Sequence, residues 1–306
     1  MNSKTMPPAR ERFSTYINSK ASGRIFNINL MLTIYISSAK NHLEFVKFTI
    51  YRPNNLVYLK DVIAVHEERG KLLGRNHSNE VAVHYITYPK ERILRRNSVT
   101  FQVSKSVCEH FMKAIIDHTA DKCRPKRLLV LINPASGRKK GVKIFRDKMA
   151  PLFRLCQIET DVIVVTQRIN AETVLQSYNL NSIDGIVTVG GDGLCCDCVN
   201  GLLRRFQKDQ EIDFNNSQNA LQQPSLPIGL IPAGSGNLLV KFLHGTKDLE
   251  TALLKIISGK TVTTNVAGVY ANGKLVIYSA LILGFGLCGR MVRDCEKTRW
   301  LGPSKI

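Results

Sequence analysis

The chain has 306 residues, enough for about two domains that each bury a core. Its 44% hydrophobic and 22% charged content excludes a fibrous or intrinsically disordered chain. The formal net charge of +19 favours polyanionic partners (nucleic acid, an anionic membrane surface or phosphate-bearing ligands) without choosing among them or against a merely solvated basic surface.

In chain order, residues 1–23 are polar and basic and read as a flexible tail, with no apolar core of a secretory signal. The apolar stretch 25–36 is broken by Asn27 and Asn29 and falls short of the about 20 residues a spanning helix needs. Short β-type runs follow at 45–51, 59–65, 81–88 and 98–103, separated by turn signals at 53–55 and 75–79. Val107, Phe111, Ala114 and Ile115 then recur at helical spacing. Several strands closed by one amphipathic helix give residues 24–118 the order of a small pleckstrin-homology-like β module.

A basic linker at 119–127 ends this region. The run 128–132 is continuously apolar, as in a strand buried on both faces of a parallel sheet. Helix 142–155, strand 160–166, helix 171–177, strand 185–189, helix 194–206 and strand 228–231 complete an alternating pattern. That pattern predicts an α/β fold with a doubly wound parallel sheet over residues 126–264. The polar run 207–223 reads as an exposed insertion. Strands at 262–270 and 275–283 flank an Asn272-Gly273 hairpin turn, and residues 265–306 read as the start of an incomplete β-sandwich domain.

Three loops at strand ends carry the chemistry. In the first, Asn133, Pro134, Ala135, Ser136 and Gly137 precede three basic residues, Arg138, Lys139 and Lys140. Backbone N–H groups at a helix entrance make an anion site, although a solvated basic turn has the same composition. It is not a Walker loop. The second is Gly190, Gly191, Asp192 and Gly193, whose glycines admit close backbone approach and positive φ. An aspartate there serves a phosphate site by binding metal or accepting a proton, services that phosphoryl transfer requires; the alternative is a helix N-cap. The third is Pro232 and Ala233 followed by Gly234, Ser235, Gly236 and Asn237. Three such loops at the carboxyl ends of parallel strands converge on one ligand crevice.

The eight cysteines are irregularly spaced and read as reduced thiols of a cytosolic protein. Cys195, Cys196 and Cys198 lack a second ligand pair at zinc spacing, and a helix N-terminus is a place where a thiol pKa can fall. No histidine has a partner at catalytic spacing.

Taken in order, NPASG, VTQR, VGGDG, NGLL, LIPAGSGN and DCEKTRWLGP resemble the catalytic region of the diacylglycerol/sphingosine/ceramide kinase superfamily, over about residues 126–306. The segments KMAPLFRL, IDGIVTVGGDG, IPAGS and EKTRWLGP are similar to ceramide kinase and the ceramide kinase-like protein, whereas GSGN and GDGL look more like sphingosine kinase. VYLKDVIAVHEERGK is similar to part of the N-terminal pleckstrin-homology domain of the ceramide kinase branch.

The resemblance implies a lipid kinase that uses ATP and Mg2+ to phosphorylate the primary hydroxyl of a ceramide-like or sphingoid lipid, with sphingosine or diacylglycerol as alternative substrates. It implies Asp192 as the catalytic residue. It implies nucleotide contacts from Asn133, Pro134, Ala135, Ser136 and Gly137, and from Thr166, Gln167, Arg168 and Asn170. Further contacts would come from Asp197, from Gly234, Ser235, Gly236 and Asn237, and from Arg299 and Lys305. Gly190, Gly191, Asp192 and Gly193 would face the lipid headgroup and phosphates; no residue is assigned directly to a metal. The N-terminal module would bind an anionic membrane surface or phosphoinositides, making the protein cytoplasmic and peripherally membrane-associated. Nucleic-acid binding rests on charge alone, with no motif of interleaved aromatics, and is not expected.

Arg290, Asn265 and the absence of the family's C-terminal half favour a different class, a non-catalytic or truncated ceramide kinase-like protein that binds lipid or nucleotide, while Asp197 shortens a side chain but keeps its charge. Asp197 stands where the family has glutamate, Asn265 where an aspartate is usual, and Arg290 where ceramide kinase has an aspartate. The family's C-terminal Asp-Gly-Glu segment is absent from these 306 residues.

Overall fold

A computed structural model describes residues 19–21, 24–26, 57, 59–68, 78–119, 124–166, 168–281, 283–284 and 286–297. The predicted strand at 45–51, the turn at 53–55, and Gln167, Arg299 and Lys305 lie outside the described residues. The chain divides into two compact units, residues 1–89 with 94–122, and residues 90–93 with 123–306.

In the first unit, strands β1 (Ser19–Ala21), β2 (Arg24–Phe26), β3 (Val62–Glu68), β4 (Ser78–Lys90) and β5 (Ile93–Ser104) form one sheet in the order β2-β1-β5-β4-β3. Helix α1 (Lys105–Thr119) follows. Val81 and Val83, two apart on one strand face, pack with Val62 and Phe101 against Cys108, Phe111 and Ile115, which share one stripe of α1. The strand expected at 59–65 starts later. Residues Leu59–Asp61 form a 3-10 turn, held where Tyr88 donates from its hydroxyl to the buried Asp61 carboxylate at 2.9 Å.

The second unit is built on a four-stranded parallel sheet. Its strands are β6 (Arg127–Ile132), β7 (Glu159–Val164), β8 (Gly185–Gly190) and β9 (Ile228–Pro232), in the order β7-β6-β8-β9. From β6 the chain crosses to β7 on one side and then returns to β8 on the other, so the switch point lies between β6 and β8. Residues 128–132 and all of β8 are buried, as their apolar runs dictate. The connections carry α2 (Gly141–Ile144), α3 (Ala150–Leu155), α4 (Ala171–Ser177) and α5 (Asp192–Asp209); α6 (Leu238–His244) and α7 (Leu249–Ser258) follow β9.

The expected helix 142–155 is interrupted by one π turn, Phe145–Met149, just before Pro151. Proline has no N–H to bond the carbonyl four residues back and its ring crowds that carbonyl, so the turn widens. The strand expected to reach residue 166 stops at Val164. The Thr166 N–H bonds the Ile169 carbonyl at 2.8 Å, and its hydroxyl accepts from the Ile169 N–H at 3.1 Å, which closes a turn instead.

Strands β10 (Ala267–Ala271) and β11 (Lys274–Ser279) pair antiparallel, and Asn272 and Gly273 take φ of 51° and 71° as an Asn-Gly hairpin turn requires. The first strand begins five residues later than expected, after an irregular segment at 260–266. Asn200 of α5 docks the hairpin. Its amide donates to the Tyr278 carbonyl and accepts from the Tyr278 N–H, both at 2.8 Å. The run 207–223 is mostly exposed but is no loose insertion. Buried Gln207 exchanges two hydrogen bonds with the Gln222 backbone, Asn215 accepts from the Leu275 N–H at 3.1 Å, and the Tyr270 hydroxyl donates to the Phe214 carbonyl. Helix α8 (Leu287–Lys297) has no counterpart in the sequence-based expectations.

Candidate active site

Three of the four strand ends of the sheet deliver glycine-bearing loops that touch one another. The first loop leaves β6 with the Asn133 N–H on the Val189 carbonyl at 3.0 Å, and the Asn133 side chain accepts from the Ala135 N–H at 2.9 Å. This Asx turn puts Ser136 in the interior and Arg138, Lys139 and Lys140 in solvent. Gly137 has φ of +52°, and a Cβ there would lie 2.5 Å from the Ala233 carbonyl oxygen, so no side chain fits between the first and third loops. Gly234 meets Gly191 as closely: a Cβ on Gly234 would fall 2.4 Å from the Gly191 Cα. The N–H groups of Ala233 and Gly234 both bond the Gly190 carbonyl, at 2.9 and 3.0 Å. Gly190 and Gly191 are therefore required by close approach rather than by the positive φ expected of them, whereas a Cβ on Gly193 would meet nothing within 4 Å; Gly191 has φ of −106°, and among the described residues positive φ at these three loops belongs to Gly137, Lys139 and Asn237.

Asp192 is the first residue of α5, and Gly191 is its N-cap with no side-chain cap. The expected alternative, a carboxylate capping its own helix, is replaced by a longer reach. The Asp192 carboxylate accepts from the N–H groups of Leu238 and Leu239, at 3.1 and 3.0 Å, and so sits at the start of α6. Each oxygen takes one N–H and keeps a lone pair for a further donor. Asn237 sets the entry to α6 in the left-handed conformation (φ 51°, ψ 44°), accepts from the Gly234 N–H at 3.0 Å and donates to the Gly234 carbonyl at 2.7 Å. A Cβ on Gly236 would lie 2.9 Å from the carboxylate. The arrangement is one acidic side chain, fixed by two backbone donors at the start of α6, beside the uncapped start of α5 and the interlocked glycine loops. Such a cradle is suited to polyphosphate and to accepting a proton from a hydroxyl.

Residues 127–269 match the diacylglycerol kinase catalytic domain. The chain belongs to the diacylglycerol/sphingosine/ceramide kinase superfamily. It is 36% identical to human ceramide kinase over 247 residues, 80% of this chain and 46% of that protein. It is 28% identical to human ceramide kinase-like protein over 291 residues, 85% of this chain and 52% of that one. To Arabidopsis thaliana sphingosine kinase 1 it is 34% identical over 193 residues, 62% of this chain and 37% of that one. The chain thus spans about half the length of the ceramide kinase-type relatives it matches.

The remaining residues that the superfamily motifs single out are placed unevenly. Thr166 and Asn170 are at the carboxyl end of β7, beside the first loop, since the Val165 N–H bonds the Ile132 carbonyl at 2.8 Å. Their polar atoms serve the local backbone: Asn170 caps α4 by accepting from the Thr173 N–H at 2.7 Å. Arg168 and Ser235 are exposed. Asp197 lies on α5 toward α4, where desolvation and then Glu172 raise it above the usual carboxylate range. Arg204 pairs with Glu172 at 3.6 Å and donates to the Val276 carbonyl at 3.0 Å, so this group of charges braces α4, α5 and the hairpin. Asn265 is in the exposed 260–266 segment and Arg290 is exposed on α8.

The cysteines correct an expectation. Cys195 and Cys198 are buried in the hydrophobic interior, and burial pushes Cys195 up to about 12 and Cys198 well above its ordinary value. Cys196 is raised by burial as well. Desolvation outweighs the helix N-terminus, and these are protonated packing residues. Among the described residues no group of three or more His, Cys, Asp and Glu side chains is placed to hold a metal. The signals that sequence reasoning missed are backbone ones, the Leu238 and Leu239 N–H groups, which carry no residue-type signature.

Proposed function

We propose that this protein is an ATP-dependent lipid kinase that transfers the γ-phosphate to the primary hydroxyl of a ceramide-like or sphingoid lipid. The observation that carries this is the interlock of three strand-end loops around Asp192, with its carboxylate oriented by the start of α6. The loops 133–140, 190–193 and 234–237 bind the phosphates through backbone N–H groups, with Arg138, Lys139 and Lys140 supplying positive charge. When bound with the nucleotide, Mg2+ would offset the phosphate charge; no residue of this chain is assigned to hold it. Asp192 takes the proton of the lipid hydroxyl as its oxygen bonds to phosphorus and the bridging P–O bond to ADP breaks. Asn237 and Gly236 keep that carboxylate clear and aimed. Arg299 and Lys305 would add phosphate contacts from beyond the described residues.

Residues 24–118 are proposed to act as a pleckstrin-homology-like module that holds the protein at an anionic membrane face or on phosphoinositides. An antiparallel hairpin and sheet closed by α1, and a net charge of +19, support this. No helix among the described residues is long and apolar enough to cross a membrane. A second reading, a non-catalytic lipid- or nucleotide-binding protein, is favoured by Arg290, a cation where an aspartate is expected.

The test is phosphate transfer from radiolabelled ATP with Mg2+ to ceramide, sphingosine and diacylglycerol offered separately. Label in ceramide or sphingosine is the expected result. Label only in diacylglycerol would overturn the substrate class, and no label from folded protein would favour the non-catalytic reading.

A further inference from the structure

Helix α6 has a face that its core packing does not use. Leu239 and Val240 are buried with Cys195 and Leu230, which accounts for the inner side. On the outer side Leu238 is 47% and Phe242 80% exposed. Lys241 is exposed between them, and Lys247 is exposed just past the C-cap Gly245. Positions 238, 241 and 242 share one helix face by their spacing. Apolar and cationic side chains side by side are the composition of an interfacial membrane contact, here on a chain of net charge +19.

The position of this face gives it meaning. The Leu238 N–H donates to the Asp192 carboxylate at 3.1 Å. Phe242 is four residues on, about 6 Å along the axis at 1.5 Å per residue, a lateral distance when α6 lies with this face on the bilayer, so Asp192 stays at about the depth of the α6 backbone. An interfacial apolar face sinks about 5–10 Å into the boundary of headgroups and acyl chains. Seating Phe242 there holds Asp192 at the level of the headgroups, where a membrane lipid presents its hydroxyl.

We propose that the outer face of α6, formed by Leu238, Lys241 and Phe242, docks on an anionic lipid bilayer and sets Asp192 at the headgroup layer. Charge selects this occupant over a second copy of the chain, because a two-fold contact would bring the Lys241 side chains of both copies together. The consequence for catalysis rests on the lipid-kinase reading, whereas docking is measured without turnover.

The test uses the full chain with vesicles of phosphatidylcholine, with and without phosphatidylserine. Phe242→Gln, at a side chain already in solvent, is expected to weaken vesicle binding about tenfold. Lys241→Glu is expected to weaken it several-fold on phosphatidylserine vesicles only. Phe242→Trp, read against the parent's single tryptophan, is expected to be quenched by brominated acyl chains. Unchanged binding by Phe242→Gln, or no added quenching of the tryptophan at 242, overturns the proposal. So does a parent dimer that Phe242→Gln dissociates, which would assign the face to a second copy. On a short-chain, water-soluble ceramide the Phe242→Gln variant is expected to keep the parent rate while losing rate on vesicles; equal loss on both would overturn docking as the cause. A parent inactive on both substrates overturns the lipid-kinase reading and leaves the binding result standing.

Discussion

Replacing Asn237 separates two contributions to the turn that presents α6 to Asp192. Asn237 is buried, left-handed at φ 51°, and clasps Gly234 with bonds of 3.0 and 2.7 Å. A left-handed residue other than glycine or asparagine costs about 1–2 kcal/mol, and each hydrogen bond contributes about 1 kcal/mol net. The Gly234 N–H keeps a second partner, the Gly190 carbonyl, so its loss of Asn237 leaves no bare donor. Asn237→Gly, which keeps the turn and loses the clasp, is therefore expected to cost about 1–2 kcal/mol. Asn237→Ala, which loses both, is expected to cost about 3 kcal/mol. Urea unfolding of the three proteins measures this directly. In the kinase assay Asn237→Ala is expected to lower kcat more than Asn237→Gly, because the Leu238 and Leu239 N–H groups reach Asp192 only at the native entry angle. Equal stability of the two variants, or Asn237→Gly the weaker, would refute the role given to the left-handed turn. A change below about 0.5 kcal/mol in both would refute the clasp.

Asn200→Ala leaves the buried Tyr278 N–H and carbonyl without their 2.8 Å partners and is expected to cost about 2–4 kcal/mol, with early hydrogen exchange or proteolysis of β10 and β11. Unchanged protection of the hairpin would show that Asn200 does not dock it. His244 is lowered to about 4 by burial and by Lys255, from an ordinary value of 6.5. The unfolded chain therefore binds the extra proton first, so His244's contribution to stability is complete above pH 6.5 and is lost as pH falls through about 4. His244→Gln is expected to flatten the urea midpoint over that window, and an unaltered pH dependence would contradict the assignment. Cys195 and Cys198, raised by burial, are expected to resist iodoacetamide in the native state at pH 8 and to react on unfolding; rapid native labelling at either position, located by peptide mass, would count against their packing role.

The sheet was legible because β6 and β8 are buried on both faces, so 128–132 is an unbroken apolar run and 185–189 is apolar apart from Thr188. The helix at Ala171–Ser177 was legible from local pattern and is capped by Asn170 next to it in sequence. What escaped was non-local or a matter of backbone. The partners of Asp192 are 46 and 47 residues away and are N–H groups, and Asn200 meets Tyr278 across 78 residues. The π turn before Pro151 and the early end of β7 at the Thr166 turn reflect local hydrogen bonding that helix and strand periodicity do not encode. Helix α8 was missed although Leu287, Met291 and Cys295 of LCGRMVRDCEK recur at helical spacing, because the hairpin before it led residues 265–306 to be read as the start of a β-sandwich. The three loops were each ambiguous alone. Their direct contact at Gly137 with Ala233 and at Gly191 with Gly234 turns three turns into one cradle.

The central claim is that Asp192 accepts the lipid hydroxyl's proton in that cradle. Asp192→Asn keeps an oxygen for one α6 N–H and removes the charge, so comparing its lipid phosphorylation with the parent's, alongside ATP affinity and urea unfolding, tests the claim directly. The expected result is a rate at least about a hundredfold lower with stability and ATP affinity largely retained. A folded Asp192→Asn protein that phosphorylates lipid at the parent's rate would contradict it.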